Sequence, residues 1–273
     1  MNSHLRKRPG GFTLVELLVV ITIITILAGL TTVGIGAAIR SAHKAAIALE
    51  INELSRAVEA YYTKFGDYFP ATVNLTNPSS ANAIAFNKHL RKAFRNHTET
   101  PTSLTAALGN TSPGATLDAA ETMVFFLGQA PTSLKLNPKL PVSGAGNPIA
   151  LFTFNETRIL DPDGDGFFSY YPKYGDGTFL AYFDHSSYAV TSFTQSGKGT
   201  VSPYFKSNTA NDFINPETYQ IISAGLDGQF GHVQASPNDR KVFPSGINYD
   251  PDGEDNDNIA NFSEGRALED LLP

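Results

Sequence analysis

Cysteine is missing altogether from the 273 residues. Neither a disulfide framework nor thiol chemistry is open to the chain, and if its polar part is exported, something other than S–S bonds must tie its loops. A surplus of basic charge is missing too: 20 Lys and Arg stand against 26 Asp and Glu, a formal net charge of −6. With no basic stripe to release counterions from phosphates, the charge argues against nucleic acid as the main partner. Catalytic signatures are equally scarce. No G-x-S-x-G elbow, H-E-x-x-H helix or phosphate loop occurs, and the six histidines show no metal-ligand spacing. The run Asp184-His185-Ser186 holds the residue types of a triad, but neighbours along a strand point to opposite faces and cannot assemble one. No internal repeat of fixed period is visible. The chain reads as non-enzymatic.

Present instead is one long apolar run. Residues 17–39 carry no formal charge and follow the basic cluster Arg6, Lys7 and Arg8. The run is too long for the core of a cleaved signal peptide, and no A-x-A-like site closes it. At ~1.5 Å per residue it reaches about 35 Å, enough to cross a hydrocarbon core of ~30 Å. A membrane anchor with its basic end in the cytoplasm fits this pattern. It leaves Glu16 unexplained, since a carboxylate held in the bilayer costs on the order of 2.5–3.5 kcal/mol or more and is rare unless paired or functional.

The stretch "RPGGFTLVELLVVI" resembles the class III signal of type IV pilins and type II secretion pseudopilins. The resemblance implies a leader, residues 1–11, removed by a prepilin peptidase that cuts between Gly11 and Phe12 and methylates the new amino group. It also implies that Glu16, at the fifth mature position, is needed for assembly. Cleavage would place a positive amine on Phe12 one helical turn from Glu16, on the same face. Between copies, Glu16 of an entering subunit could meet the Phe12 amine of one already docked. In low dielectric that attraction sets axial register, and an unpaired charge is penalised. Loss of the leader lowers Lys and Arg to 17 against 26 carboxylates, a net charge of −9.

The helix is expected to continue beyond the membrane, with residues 12–39 as its transmembrane and assembly half and 40–66 as its amphipathic half. Ile47, Ile51, Leu54, Val58, Tyr61 and Phe65 recur at steps of four and three, a core-facing stripe. Gly66 and Pro70 supply the stop, and "KFGDYFP" resembles the end of this helix in major pseudopilins. Gly29, Gly34 and Gly36 weaken its middle, where local unwinding or close helix contact is expected. Residues 67–148 read as an insert rich in Ala, Asn, Thr and Pro. It holds two short helices, in "ANAIAFNKHLRKAF" (Ala83, Phe86, Leu90 and Phe94 on one face) and "LDAAETMVFFLG", and is otherwise loop. Residues 149–273 read as a β-sheet head, with strand-like runs "IALFTFN", "TFLAYFD", "SYAVTSF" and "TYQIISA". The expected fold class is α+β, a pilin-like lollipop: one long helix packed on a small antiparallel sheet with long loops.

Two acidic loops are candidate cation sites. In "DPDGDGFF", Asp161, Asp163 and Asp165 alternate ahead of Gly166, like the opening of an EF-hand loop. The twelfth position is Pro172 instead of a bidentate Glu, so the choice is between a looser calcium loop and a solvated turn. The second, "ISAGLDGQFGH" with "INYDPDGEDNDNIANF", resembles the C-terminal calcium loop of major pseudopilins. The resemblance makes Asp227 the first acidic ligand and Asp255 and Asp257 the closing pair, with Asp250, Asp252 and Glu254 as nearby donors. The intervening "VQASPNDRKVFPSG" makes this loop longer than the family's compact one. Without a counter-ion these carboxylates repel one another, and calcium would remove that repulsion and tie the loop. The alternative is an acidic surface loop.

Together these readings give a structural subunit: a pseudopilin of type II secretion, or a type IV pilin or minor pilin of a surface fibre for adhesion, motility or DNA uptake. Its implied partners are copies of itself and related pilins, prepilin peptidase, the inner-membrane assembly platform and, before assembly, membrane lipid. The implied location is the bacterial inner membrane, single pass, with the head in the periplasm. An anchored ligand-binding protein that never polymerises is the competing class.

Overall fold

The computed structural model describes residues 11–77, 79–108, 116–189, 191–231, 240–250 and 252–273. The basic cluster Arg6–Arg8 and most of the expected leader lie outside that range, as does the middle of the long C-terminal loop. The chain divides into two compact units, Met1–Ala42 and His43–Pro273.

Helix α1 spans Leu14–Phe65. Gly66 ends it: its N–H donates to the Tyr62 carbonyl at 2.7 Å, and its φ of +73° is a left-handed conformation that L side chains resist. In the first unit, the large apolar side chains from Phe12 to Leu30 are exposed, with Leu14 at 80%. The helix is long and apolar enough to cross a membrane. Its threonines suit that setting, because the Thr22, Thr25 and Thr31 hydroxyls donate back to the carbonyls of Leu18, Ile21 and Leu27 and leave no free donor. The expected unwinding near Gly29, Gly34 and Gly36 is not observed, and α1 is continuous there. Glycines cost about 1 kcal/mol each relative to alanine, too little to break the ladder of a 52-residue helix. An added Cβ at Gly29 or Gly36 would meet nothing within 4 Å, so these positions open a flank without breaking the helix.

In the second unit the predicted α1 stripe is buried in full, from Ile47 at 1% to Phe65 at 9% exposure. Helix α2 (Ala81–Ala93) is capped by the Ser80 hydroxyl, which accepts from the Ala83 N–H, and buries Ala83, Phe86 and Leu90, with Phe94 following, as its spacing predicts. Helix α4 (Glu121–Leu127) is buried at every position, and Gly128 caps it: an added Cβ there would lie 2.5 Å from the Val124 carbonyl. Between them stands α3 (Pro101–Leu108), in a stretch whose composition predicts loop. Thr100 and Ser103 bond reciprocally, backbone N–H to hydroxyl, and Pro101 occupies the first helical position, a start signal independent of apolar periodicity.

The strands are short: β1 (Val73–Asn74), β2 (Thr116–Leu117), β3 (Ile159–Leu160), β4 (Ser169–Tyr170), β5 (Ala181–Asp184), β6 (Phe193–Gln195), β7 (Gly199–Val201), β8 (Tyr219–Ser223) and β9 (Ile259–Ala260). They pair antiparallel as β1–β2, β3–β4, β6–β7 and the three-stranded β5–β8–β9. A long N-terminal helix with small antiparallel sheets is the α+β class expected. An aromatic knot joins the layers. Phe69 stacks on Tyr182 at 4.3 Å and on Phe126 at 4.8 Å, Tyr61 meets Phe69 edge-on at 5.2 Å, and the Tyr182 hydroxyl donates to the Phe69 carbonyl.

Two strand-like runs take other structure. In 149–155, the N–H groups of Ala150, Leu151 and Phe152 donate to the carbonyls of Gly128 and Leu127, so the segment satisfies the end of α4 instead of a neighbouring strand. In 187–193, among the described residues only Phe193 enters a strand. The Asp184 carboxylate accepts from the Ser186 N–H and from the hydroxyls of Ser186 and Ser187, which turns the chain at the end of β5.

Candidate functional site

Helix α1 begins on a reciprocal cap. The Thr13 N–H and hydroxyl both donate to Glu16 Oε2 at 2.8 Å, and the Glu16 N–H donates to Thr13 Oγ1 at 3.2 Å. This is the T-x-x-E capping box, which satisfies two of the donors a helix start leaves free. The pattern stands in the sequence as "TLVE", so Glu16 serves as a cap as well as a charge. Glu16 is the only formally charged residue between Arg8 and Arg40. Phe12 is 78% exposed just ahead of the helix, and Gly11 is exposed, with nothing within 4 Å of an added Cβ. The Gly11–Phe12 bond is therefore accessible, and its cleavage would leave an amine one turn from the Glu16 carboxylate.

The C-terminal acidic set divides in two. Asp227 and Asp257 come together beyond β8: Asp257 Oδ2 accepts from the Leu226 and Asp227 N–H groups at 2.7 and 3.2 Å. Among the described residues its buried Oδ1 has no hydrogen-bond partner. Desolvation, then the facing Asp257 charge, pushes Asp227 up to about 7, and desolvation also raises Asp257. Gly225 makes the approach close. Its φ is +67°, and an added Cβ would lie 2.3 Å from the Asp257 carbonyl oxygen and 2.4 Å from Oδ1. Asp255 lies elsewhere. It is fully buried, its carboxylate meets the buried Lys241 Nζ at 2.6 Å, and both its oxygens accept from the Asp250 N–H. Asp250 is buried and accepts from the Asp252 N–H, while Asp252 is exposed. At Asp255 a lysine, and not the metal expected from the loop sequence, supplies the counter-charge. Lys241 stands 14 positions away with no motif around it, so spacing could not reveal the pair.

The other loop gains a member. Asp161 folds back on its own loop, accepting from the Gly164 and Gly166 N–H groups at 2.8 and 3.0 Å. Asp163 and Asp165 instead meet Glu121 of α4, with one carboxylate oxygen of each within 4.8 Å of the others. Glu121 is 3% exposed, and its Oε2 accepts from the Asp118 N–H. Burial, then the neighbouring carboxylates, raises Glu121 to about 9 and Asp165 to about 6. Glu121 lies 40 residues upstream of the loop, beyond the reach of any local motif. His185 is exposed, and Asp184 is engaged with turn serines, so the residues of "FDHSSY" form no triad.

Residues 6–32 match the family model of the prokaryotic N-terminal methylation motif. No curated protein and no solved structure matches the chain. The motif covers the basic cluster, Gly11, Phe12, Glu16 and the start of the apolar run. It supports a pilin-like structural subunit, processed by prepilin peptidase and anchored by a single apolar N-terminal helix.

Proposed function

We propose that this chain is a subunit of a pilus-like filament, most closely a pseudopilin of a type II secretion system. In this reading it waits in the bacterial inner membrane as a single-pass protein with its head in the periplasm. An assembly platform then extracts it into a helical filament. The observation that carries the reading is the methylation motif with one carboxylate, Glu16, on an otherwise uncharged stretch between Arg8 and Arg40 whose large apolar side chains from Phe12 to Leu30 are exposed. In the membrane that carboxylate is costly until it meets a cation, and the Phe12 amine of an adjacent copy is the cation that processing creates. Copies therefore stack with a fixed stagger, their apolar helices inside. The test is intact mass of the protein recovered from membranes, which should begin at methylated Phe12, together with electron microscopy of cells expressing it in excess. An intact leader, or processed protein that never forms fibres alongside its assembly machinery, would overturn the reading. A type IV pilin or minor pilin is the second reading, favoured by the size of the unit that follows the anchor, His43–Pro273.

Calcium belongs to this proposal as a tie for a head without disulfides. The buried Asp257 Oδ1 beside Asp227, with no hydrogen-bond partner among the described residues, supports it at the C-terminal loop, since two facing carboxylates with such an oxygen suit a hard cation. Asp227 and Asp257 would hold the ion there, while Asp255 keeps to Lys241. Asp163, Asp165 and Glu121 have the donor chemistry for a second ion. At either place the ion would supply positive charge alone.

A further inference from the structure

Helix α2 turns a basic row outward. Ile84, Lys88 and Arg91 follow at steps of four and three, opposite the buried Phe86 and Leu90, and Arg95 lies exposed just past the helix end. All four are exposed, Ile84 at 58%. Lys92, beside them, is held by Asp67 at 2.8 Å. Among the described residues no carboxylate forms an ion pair with Lys88, Arg91 or Arg95. A helix C-terminus tolerates cations, which accounts for positive charge here but not for an exposed isoleucine in the same row.

The rest of this unit has the opposite sign. Residues 43–273 hold twenty-five Asp and Glu against sixteen Lys and Arg, and four of those sixteen fall between 88 and 95. Copies crowded along a filament would repel through their acidic surfaces. A basic row set against the acidic surface of the next copy converts part of that repulsion into attraction and restricts how the copies face each other. Ile84 gains by burial against protein and gains nothing from a phosphate backbone.

We propose that the outward face formed by Ile84, Lys88, Arg91 and Arg95 docks on an acidic surface of a second copy of this chain. The inference rests on the filament reading above, and the two fail differently. The test begins with full-length filaments assembled from mixed isotopically heavy and light copies and treated with a carbodiimide, which joins lysine to a contacting carboxylate. Heavy–light peptides linking Lys88 to an Asp or Glu are expected. In parallel, the triple variant Lys88→Glu, Arg91→Glu, Arg95→Glu should remain processed, membrane-inserted and as heat-stable as wild type. It should assemble about tenfold less well at low salt, the equivalent of one 1.4 kcal/mol step. Lys88 links found only within single chains, with a triple variant that assembles like wild type, would overturn the docking alone. A wild-type chain that stays monomeric would overturn both. If the variant assembles normally but loses binding to anionic vesicles or duplex DNA, the face serves lipid or nucleic acid, and docking on a second copy is wrong.

Discussion

Thr13 and Glu16 cap one another, so in a single copy the Glu16 carboxylate is already hydrogen-bonded to the first turn of its own helix. The residue therefore has two separable roles. A neutral acceptor such as glutamine would keep the cap, whereas only a carboxylate attracts a neighbouring amine. Thr13→Ala should cost about 1 kcal/mol at the helix start. Hydrogen exchange of the mature protein in detergent should show faster exchange at residues 13–16, with little change beyond the second turn.

Calcium dependence should follow the division of the acidic set. Chelation with EGTA should lower the melting temperature of the wild-type protein, and Asp257→Asn should weaken that response at the C-terminal loop. Asp255→Ala should behave differently, because it strands Lys241 in the interior and so costs about 3–5 kcal/mol with or without calcium. Thermal melts of the three proteins in calcium and in EGTA check this. Equal responses from Asp255→Ala and Asp257→Asn would contradict the division.

Asp67 should carry part of the acid sensitivity. Burial alone would raise its carboxyl, but His89 at 3.4 Å and Lys92 at 2.8 Å outweigh it and hold the group down at about 2, below its ordinary 3.8. A depressed carboxyl stabilises the fold above its unfolded value and loses that contribution as pH falls towards 2. With partial exposure discounted, about 1–2 kcal/mol is at stake. Asp67→Asn should destabilise the protein at pH 6 and barely change it near pH 2, as urea titrations at the two pH values would show.

Glu121 should show the opposite sign. Its folded carboxyl is raised to about 9 from an ordinary 4.5, so in EGTA stability should fall as pH rises from about 5 to 9. Glu121→Gln should remove much of that fall. Melts across this range decide it, and a variant that keeps the full wild-type slope would contradict the assignment.

Much of the fold was legible because helices advertise their buried side. The α1 stripe from Ile47 to Phe65 and the α2 face of Ala83, Phe86 and Leu90 follow from spacing alone. Short α3 was not legible in the same way, because its signal is the Thr100, Pro101 and Ser103 cap and not a periodic stripe. Residues 149–155 have the composition of a strand, but the free carbonyls of α4 claim their N–H groups, a competition that only tertiary structure reveals. The acidic sites were legible as loops and illegible as partnerships. Glu121 and Lys241 reach them from distant parts of the chain, and each changes the charge balance that the loop sequences imply.

The most direct test of the account is the assembly of Glu16→Gln at matched membrane levels, with methylated Phe12 confirmed by mass. The capping box survives in this variant and the negative charge does not. The account predicts normal insertion and processing, an intact helix start and loss of filaments. Wild-type numbers of filaments from Glu16→Gln would show that the carboxylate serves only as a cap, and the charge-paired stacking of copies would be wrong.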